Sequence, residues 1–353
     1  MDLEQTAIER LKMASEMSLR LYEQPLVITY SGGKDSDVLL HLAGKAGIQY
    51  EVLHSLTTAD APETVWHVRD TFHRLELAGV KCTIDTHKRP DGTNVTMWNL
   101  IPRKLMPPTR LVRYCCAELK EGGGKGRWIA TGVRWAESKK RKSRGVMEAL
   151  HKSKDKRLTL MNDNDESRMM MENCQLKGTR TINPIIDWTE SDVLDYASAE
   201  KICMNPLYEC GWKRVGCIGC PMAGKHRKTE FSRYPKIKAA YVRAFDRMLA
   251  ERRKRELPCA RPNTRDETGM DTRSGSAGVH AGMRRWFRHG GSEARKRSPA
   301  AAPTLRIVRT GPSQRSRRGN GLRARLPRVR SAPAITCTAS IATTSSAAAC
   351  GAV

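Results

Sequence analysis

The stretch VITYSGGKDSDVLLHLAG, residues 27–44, joins an apolar strand to an amphipathic helix through a glycine-rich turn. A strand that ends at Tyr30 brings the chain to the carboxyl edge of a parallel sheet, where open α/β folds bind ligands. Gly32 and Gly33 permit the close or left-handed backbone conformations that turn several amide N–H groups toward one point. The predicted helix 35–46 adds its free N–H groups and its positive dipole end. The stretch therefore predicts a phosphate cradle.

Polar side chains in the same turn can complete this cradle. Ser31 and Ser36 offer hydroxyl donors, and Lys34 offers a positive charge. Asp35 or Asp37 can cap the helix or approach a magnesium ion. The turn is not a Walker A loop, because that pattern requires a glycine at the position of Ile28. The plain alternative is an ordinary Gly-Gly turn between a strand and a helix.

The first 250 residues alternate strand-like and helix-like segments, which indicates an α/β protein with a doubly wound, mostly parallel sheet. The predicted strands are residues 25–30, 50–56, 80–86, 127–133 and 181–186, and the predicted helices are 35–46, 63–78, 190–200 and 229 to about 255. Residues 137–180 are rich in charged residues, Met and Asn without a clear period, and we interpret them as an insertion or a mobile loop.

Composition divides the chain into three predicted parts. Residues 1–24 form an N-terminal amphipathic helix, and residues 25–256 form a nucleotide-binding domain with a cysteine-rich segment at 203–221 and a helical C-terminal extension. Residues 257–353 are dominated by Arg, Ser, Ala, Gly and Pro, and this composition predicts a disordered low-complexity tail. The tail carries +14 of the net charge of +26, which leaves +12 for the rest. Such a basic balance favours a polyanionic substrate or partner.

The sequence also bounds the location of the protein. No stretch approaches the roughly 20 apolar residues that cross a bilayer, and residues 1–24 do not read as a signal peptide. We therefore expect a cytoplasmic protein with no membrane partner. In that compartment, the eleven cysteines are more often metal ligands, redox groups or buried thiols than disulfides.

Two cysteine motifs provide a candidate metal site. RYCCAELK places Cys115 next to Cys116, and GCIGCP spaces Cys217 and Cys220 as Cys-x-x-Cys. Four thiolates suit one zinc ion or an iron–sulfur cluster. Because two adjacent residues must bend to reach one centre, Cys210 is a candidate substitute for either member of the first pair. The alternative interpretation is a set of buried thiols.

These motifs resemble the PP-loop ATP pyrophosphatases, and more narrowly the phosphoadenylyl-sulfate reductase family of the adenine nucleotide α-hydrolase-like superfamily, in its phage- or prophage-type version. The resemblance does not extend to the tail. The segments that carry it are SGGKDS (31–36), TTADAPET (57–64), GVRWAESKKR (132–141), INPIIDWTESDV (182–193) and NPLYECGWKRVGCIGCP (205–221).

The resemblance implies both a nucleotide and a cluster. The nucleotide would be phosphoadenylyl sulfate, adenylyl sulfate or ATP, with Mg²⁺ as a further candidate, and its implied ligands are Ser31, Gly32, Gly33, Lys34, Asp35, Ser36, Asp60 and Arg134. Arg134 follows a predicted strand and so belongs to the same sheet edge as the glycine turn. The implied ligands of a four-iron four-sulfur cluster are Cys115, Cys116, Cys217 and Cys220.

Three functions are consistent with the sequence. In the first, a reductase, a cysteine thiolate takes the sulfonyl group and a thioredoxin-like reductant releases sulfite, with Cys210 and Lys34 as candidate catalytic residues. The family's C-terminal Glu-Cys-Gly-(Ile or Leu)-His segment has no full match here, since Gly211 is followed by Trp212. The second is a PP-loop ATP pyrophosphatase that adenylates a substrate in sulfur transfer or nucleic acid modification. The third is a noncatalytic nucleic acid binder that uses the tail.

Overall fold

The structure is a computed structural model that describes residues 2–151, 153, 156–174 and 178–257. Apart from Leu257, the predicted tail lies outside the described residues. All described residues belong to one structural unit. None of the helices in this part of the chain combines the length and the apolar character that a bilayer span requires.

The described residues form one seven-stranded sheet with the order β3-β2-β1-β4-β7-β5-β6. The five strands from β3 to β7 in this order run parallel, and β5 is antiparallel to both of its neighbours. This topology confirms the predicted doubly wound, mostly parallel fold. The strands are β1 (Leu26–Thr29), β2 (Tyr50–Ser55), β3 (Cys82–Asp85), β4 (Trp128–Ala130), β5 (Met147–Leu150), β6 (Leu158–Leu160) and β7 (Thr179–Ile182).

Helices connect these strands and continue beyond the last one. They are α1 (Leu3–Tyr22), α2 (Lys34–Lys45), α3 (Pro62–Leu77), α4 (Met97–Lys104), α5 (Tyr114–Leu119), α6 (Asp165–Glu172), α7 (Glu190–Ala199), α8 (Arg227–Arg233) and α9 (Pro235–Lys254). Short 3-10 turns cover Trp135–Glu137, Arg141–Ser143 and Pro221–His226.

Strand β1 and helix α2 place the glycine turn at the switch point of the sheet. Leu26, Val27 and Ile28 are buried, as expected for a central parallel strand with both faces covered. The strand pairs with β2 on one side and with β4 on the other. At such a point the chain connections diverge to opposite sides and leave a crevice beyond the strand's carboxyl end. Residues 30–33 lie at this end, directly before α2.

Residues 137–180 differ from the prediction of an insertion or mobile loop. They contain β5, β6 and α6, and they extend the sheet at one edge. Buried and exposed residues do not alternate in β5, because Glu148 is buried between Met147 and Ala149. Its carboxylate accepts hydrogen bonds from Arg144 Nε at 2.6 Å and from the Gly145 amide at 2.8 Å. A hydrophobic pattern does not predict that a glutamate is buried with hydrogen-bond partners.

Two buried clusters hold the described residues together. The first lies around the sheet and is built mainly from α1, α2 and the strands. The second joins α4, α5 and α9 with residues 207–218, and its centre includes Tyr241 and Phe245. Cys115 and Cys217 pack against this second cluster. It therefore brings the two cysteine motifs to the same region of the fold.

Candidate functional site

The glycine turn after β1 closes around the hydroxyl group of Ser36. The amides of Ser31 and Gly33 donate to Ser36 Oγ at 3.3 and 3.1 Å, and this hydroxyl donates to the Gly33 carbonyl at 2.7 Å. Gly32 has a φ of +70°, and a Cβ atom there would come within 2.9 Å of Val68 Cγ2. Only glycine fits this conformation and this space. Two amides thus converge on one point within the turn.

The first turn of α2 leaves further donors at the same edge. Among the described residues, the amides of Gly32 and Asp35 have no hydrogen-bond partner, as expected at a helix N-terminus. The Lys34 amide donates to the hydroxyl of Tyr208 at 3.0 Å. Burial raises the pKa of Tyr208 to about 12, so this hydroxyl stays protonated at neutral pH. The turn has the donor set of an anion site.

Lys34 is buried, and its ammonium group already has partners within the protein. Its Nζ atom lies 3.6 Å from Glu190 Oε1 and 3.5 Å from the Lys213 carbonyl oxygen. It also lies 5.5 Å from the centre of the Tyr208 ring. The structure therefore ties the predicted catalytic lysine to the start of α7 and to the segment before the second cysteine motif.

Arg134 lies beside the turn, as its position after β4 predicted. Its Nε atom donates to Asp35 Oδ1 at 2.7 Å, and its side chain is buried. Burial raises the pKa of Asp35, while the positive charges of Arg134 and Lys34 oppose this rise. This pair fixes the Asp35 carboxylate at the first turn of α2.

Asp60 lies in the turn between β2 and α3, near Lys120 and Cys217. Its carboxylate accepts from the Thr57 amide at 3.0 Å. The charges of Cys217 and, to a lesser extent, Asp60 raise the pKa of Lys120. The structure therefore places this predicted nucleotide ligand next to the cysteine region.

The four predicted cluster ligands are neighbours. Cys115 and Cys116 occupy the first turn of α5, and a hydrogen bond between their thiols raises the pKa of Cys115 and lowers that of Cys116. Cys217 and Cys220 are close enough for their charges to raise the pKa of Cys115 further. The Cys217 thiol contacts Thr57 Oγ1 at 3.4 Å. In the described part of the chain, however, no three Cys, His, Asp or Glu side chains converge as ligands of one metal ion.

Cys210 lies apart from this group. Its thiol is exposed and accepts a contact from Arg233 Nη2 at 3.8 Å. The same guanidinium group binds Glu63 at 2.9 Å. Tyr208, two residues before Cys210, contacts the glycine turn through its hydroxyl.

Two residues that shape the turn were not predicted from the sequence. Asn205 is completely buried, and its Nδ2 atom donates to the Gly32 carbonyl at 2.9 Å and to Thr64 Oγ1 at 3.1 Å. Tyr208 covers the first amide of α2. The available signal was the Asn-Pro pair that opens NPLYECG, since asparagine before proline favours a turn in which its side chain binds backbone.

A family comparison agrees with this geometry. The family model described as phosphoadenosine phosphosulfate reductase domain matches residues 25–223, more than half of the chain. The chain belongs to this family. The match begins just before β1 and ends just after the Cys-x-x-Cys motif, so this member of the phosphoadenosine phosphosulfate reductase domain family carries both candidate sites within the matched region.

Relatives of this family member carry the names of two enzyme activities. The sulfate adenylyltransferase subunit 2 of Shewanella amazonensis is 29% identical over 60% of this chain and 69% of its own length. The adenosine 5'-phosphosulfate reductase of Bacillus cytotoxicus is 23% identical over 62% of this chain and 83% of its own length.

A phage protein and a solved structure complete the comparison. An uncharacterized 37.8 kDa protein of Escherichia phage 186 is 35% identical over 27% of this chain, and the chain spans only 29% of that relative. A crystal structure of phosphoadenylyl-sulfate reductase from Candida auris, a phosphate complex, superposes with a TM-score of 0.37 and 17% identity. The superposition covers 58% of this chain and 87% of the Candida chain.

The ion pair of Asp35 and Arg134 makes a pH-dependent prediction. The Arg134→Gln change leaves the half-buried Asp35 carboxylate without its cation, so the pKa of Asp35 rises further. A carboxyl group whose folded pKa exceeds its unfolded pKa of about 3.9 loses stability as pH rises between the two values. We therefore expect urea unfolding to show a larger loss of stability for the variant at about pH 8 than at about pH 5.

The double variant Asp35→Asn/Arg134→Gln is the control, because it removes the titrating group. It should lose stability by a similar amount at both pH values. Equal losses at both pH values for the Arg134→Gln single variant would contradict the assigned role of this pair.

Proposed function

We propose that this chain is an enzyme that binds an adenine nucleotide at the Ser31–Ser36 turn and acts on its phosphate or sulfate end. The observation that carries the proposal is the convergence of the Ser31 and Gly33 amides at the carboxyl end of the central parallel strand. Ser36 Oγ now accepts from both amides. A phosphate oxygen would take its place, and the hydroxyl would then donate to that oxygen.

The charged residues of the turn would position the bound group. Lys34 and Arg134 border the free amides, and each is paired with a carboxylate, Lys34 with Glu190 and Arg134 with Asp35. A magnesium ion that accompanies ATP would find one carboxylate here, Asp35, with one oxygen already bound to Arg134. Mg²⁺ is commonly held by one or two carboxylates together with substrate phosphates, so this arrangement fits such an ion.

We assign a reductase-like reaction to Cys210. Its thiolate would attack the sulfur of the sulfonucleotide, so that a sulfur–sulfur bond forms and the bond between sulfur and the phosphate oxygen breaks. The nucleotide, a monophosphate from adenylyl sulfate or a bisphosphate from phosphoadenylyl sulfate, leaves with the electron pair. One thiol of a thioredoxin-like dithiol then attacks the Cys210 sulfur and sulfite leaves. The second thiol cleaves the resulting mixed disulfide, which restores the Cys210 thiol and oxidises the dithiol to a disulfide. The exposure of the Cys210 thiol, which accepts a contact from Arg233 Nη2 at 3.8 Å, supports this role because the attacking sulfur must reach the substrate.

The alternative reaction is adenylation of a substrate by ATP with release of pyrophosphate. The name of the Shewanella relative favours it, as does the missing full Glu-Cys-Gly-(Ile or Leu)-His segment. The same turn would bind the ATP phosphates in this reaction. The two reactions therefore share the nucleotide site and differ in the need for Cys210.

The four neighbouring cysteines have the donor chemistry of a four-iron four-sulfur cluster, although no three of them converge on one metal position in the described residues. Thiolates are the ligands that such clusters require, and Lys120 stands beside Cys217 and Cys116 as a compensating positive charge. Cys115, Cys116, Cys217 and Cys220 would hold the cluster. When bound, it would supply electron transfer or a sulfur-binding iron. The cluster would lie near Asp60, which is one of the predicted nucleotide ligands.

Replacing Cys210 separates the two reactions. We expect Cys210→Ser to abolish sulfite release from a sulfonucleotide with reduced thioredoxin, while the affinity for the nucleotide stays within about twofold, because the thiol acts in chemistry and not in binding. Cys203→Ser is the matched control, since Cys203 is also an exposed thiol. Pyrophosphate release from ATP that survives Cys210→Ser would favour adenylation. If the full chain bound no adenine nucleotide, both reactions would be excluded.

Metal analysis tests the cluster assignment. Anaerobically purified full chain should contain about four iron and four sulfide per protein, with the broad absorbance of a thiolate-bound cluster near the visible range. Replacing Cys115 or Cys217 by alanine should remove most of the iron, whereas Cys203→Ala should retain it. A preparation that contains zinc and no sulfide, or iron that is unaffected by these changes, would contradict the cluster.

A further inference from the structure

A basic cleft lies between α4 and α9. Its volume is about 440 Å³, and it opens near the C-terminal ends of both helices. The opposite end of α4 is bound at the turn that precedes α3, where the Met97 amide donates to Thr58 Oγ1 at 3.0 Å. The cleft is therefore separate from the glycine turn. Its charged lining residues are Arg89, Arg103, Arg247, Glu251, Lys254 and Arg255.

Some of these cations already have protein partners. Arg103 pairs with Glu118 at 2.7 Å, and Arg255 pairs with Glu251 at 2.8 Å. Arg247 Nη2 donates to the Trp98 carbonyl at 3.0 Å. These contacts hold three guanidinium groups around the cleft without filling it.

Arg89 is the lining residue with a buried N–H group, at Nε, that lacks an acceptor among the described residues. Lys254, on the opposite wall, takes part in no ion pair within the same residues. A buried guanidinium N–H without an acceptor is costly, and native proteins rarely leave one unpaired. An anion bound in the cleft would satisfy the Arg89 Nε–H group and could pair with the exposed Lys254 ammonium group.

The lining of the cleft favours an extended anion over a compact one. Small phosphate sites use converging backbone amides and helix N-termini, whereas this cleft meets two helix C-termini. Its positive charge comes instead from long side chains on separate turns. That distribution is typical of contacts to successive phosphates of a nucleic acid backbone.

We infer that the cleft between α4 and α9 binds the phosphate backbone of a nucleic acid, with Arg89 and Lys254 as its central contacts. The Ser31–Ser36 turn takes no part in this binding. The inference holds whichever nucleotide reaction the chain performs, and it gives the enzyme a second, independent site for phosphate groups.

A pair of double variants of the full chain tests this inference. Arg89→Gln/Lys254→Gln removes two charges from the cleft, and Lys12→Gln/Arg69→Gln removes two exposed charges from α1 and α3. The probe is a short fluorescein-labelled DNA duplex of mixed sequence, titrated by anisotropy at several salt concentrations. The cleft variant should bind at least about tenfold more weakly, with a salt slope smaller by about two, whereas the control variant should change less than about twofold.

Two results would overturn the inference. Equal losses in the two variants, at unchanged thermal stability, would show a general effect of charge. The second result would come from calorimetry with inorganic pyrophosphate. Tight pyrophosphate binding that Arg89→Gln/Lys254→Gln removes, together with duplex affinity that is the same in both variants, would assign the cleft to a small free phosphate compound.

Discussion

The hydrogen bonds that converge on Ser36 Oγ are the interaction on which the candidate site depends. They hold the amides of Ser31 and Gly33 in one orientation at the rim of the sheet. Gly32 makes this possible by adopting a conformation that other residues rarely accept. Asn205 then fixes the turn from outside by binding the Gly32 carbonyl. The donors are thus arranged before any ligand arrives, which lowers the entropic cost of binding.

The turn between β2 and α3 couples this site to the cysteines. Its Thr57 side chain contacts the Cys217 thiol, and the Ala59 carbonyl accepts a hydrogen bond from the Ile218 amide at 2.7 Å. Asp60 in the same turn influences Lys120. The turn continues into α3, where Thr64 Oγ1 accepts a hydrogen bond from Asn205, the residue that also binds the Gly32 carbonyl. The turn and the start of α3 therefore connect the cysteine region with the glycine turn.

Local patterns predicted the parts of the fold whose signals are themselves local. The apolar strand 26–29, the Gly-Gly turn and the following helix could be predicted because hydrophobic periodicity and glycine conformational freedom act over a few residues. Strand β5 was missed because its buried glutamate is balanced by Arg144, a partner that the pattern does not show. Helix α4 was missed although Thr96 and Asn99 form a capping box, because Pro102 interrupts its last turn.

The candidate site was predicted less completely than the fold. Position after a strand was enough to bring Arg134 to the turn, since parallel strands end at one edge. The contacts of Asn205 and Tyr208 depend on a segment more than 170 residues further along the chain, and no local rule predicts its return. The nucleotide and cluster assignments of individual residues stay predictions.

The amide signals of the turn provide the most direct measurement of the central claim. In full chain labelled with ¹⁵N-glycine, the resonances of Gly32 and Gly33 should shift on addition of ATP or adenylyl sulfate and should stay in place with adenosine, which has no phosphate. Shifts with adenosine alone, or nucleotide binding that leaves both glycine signals unchanged, would contradict a phosphate cradle at this turn.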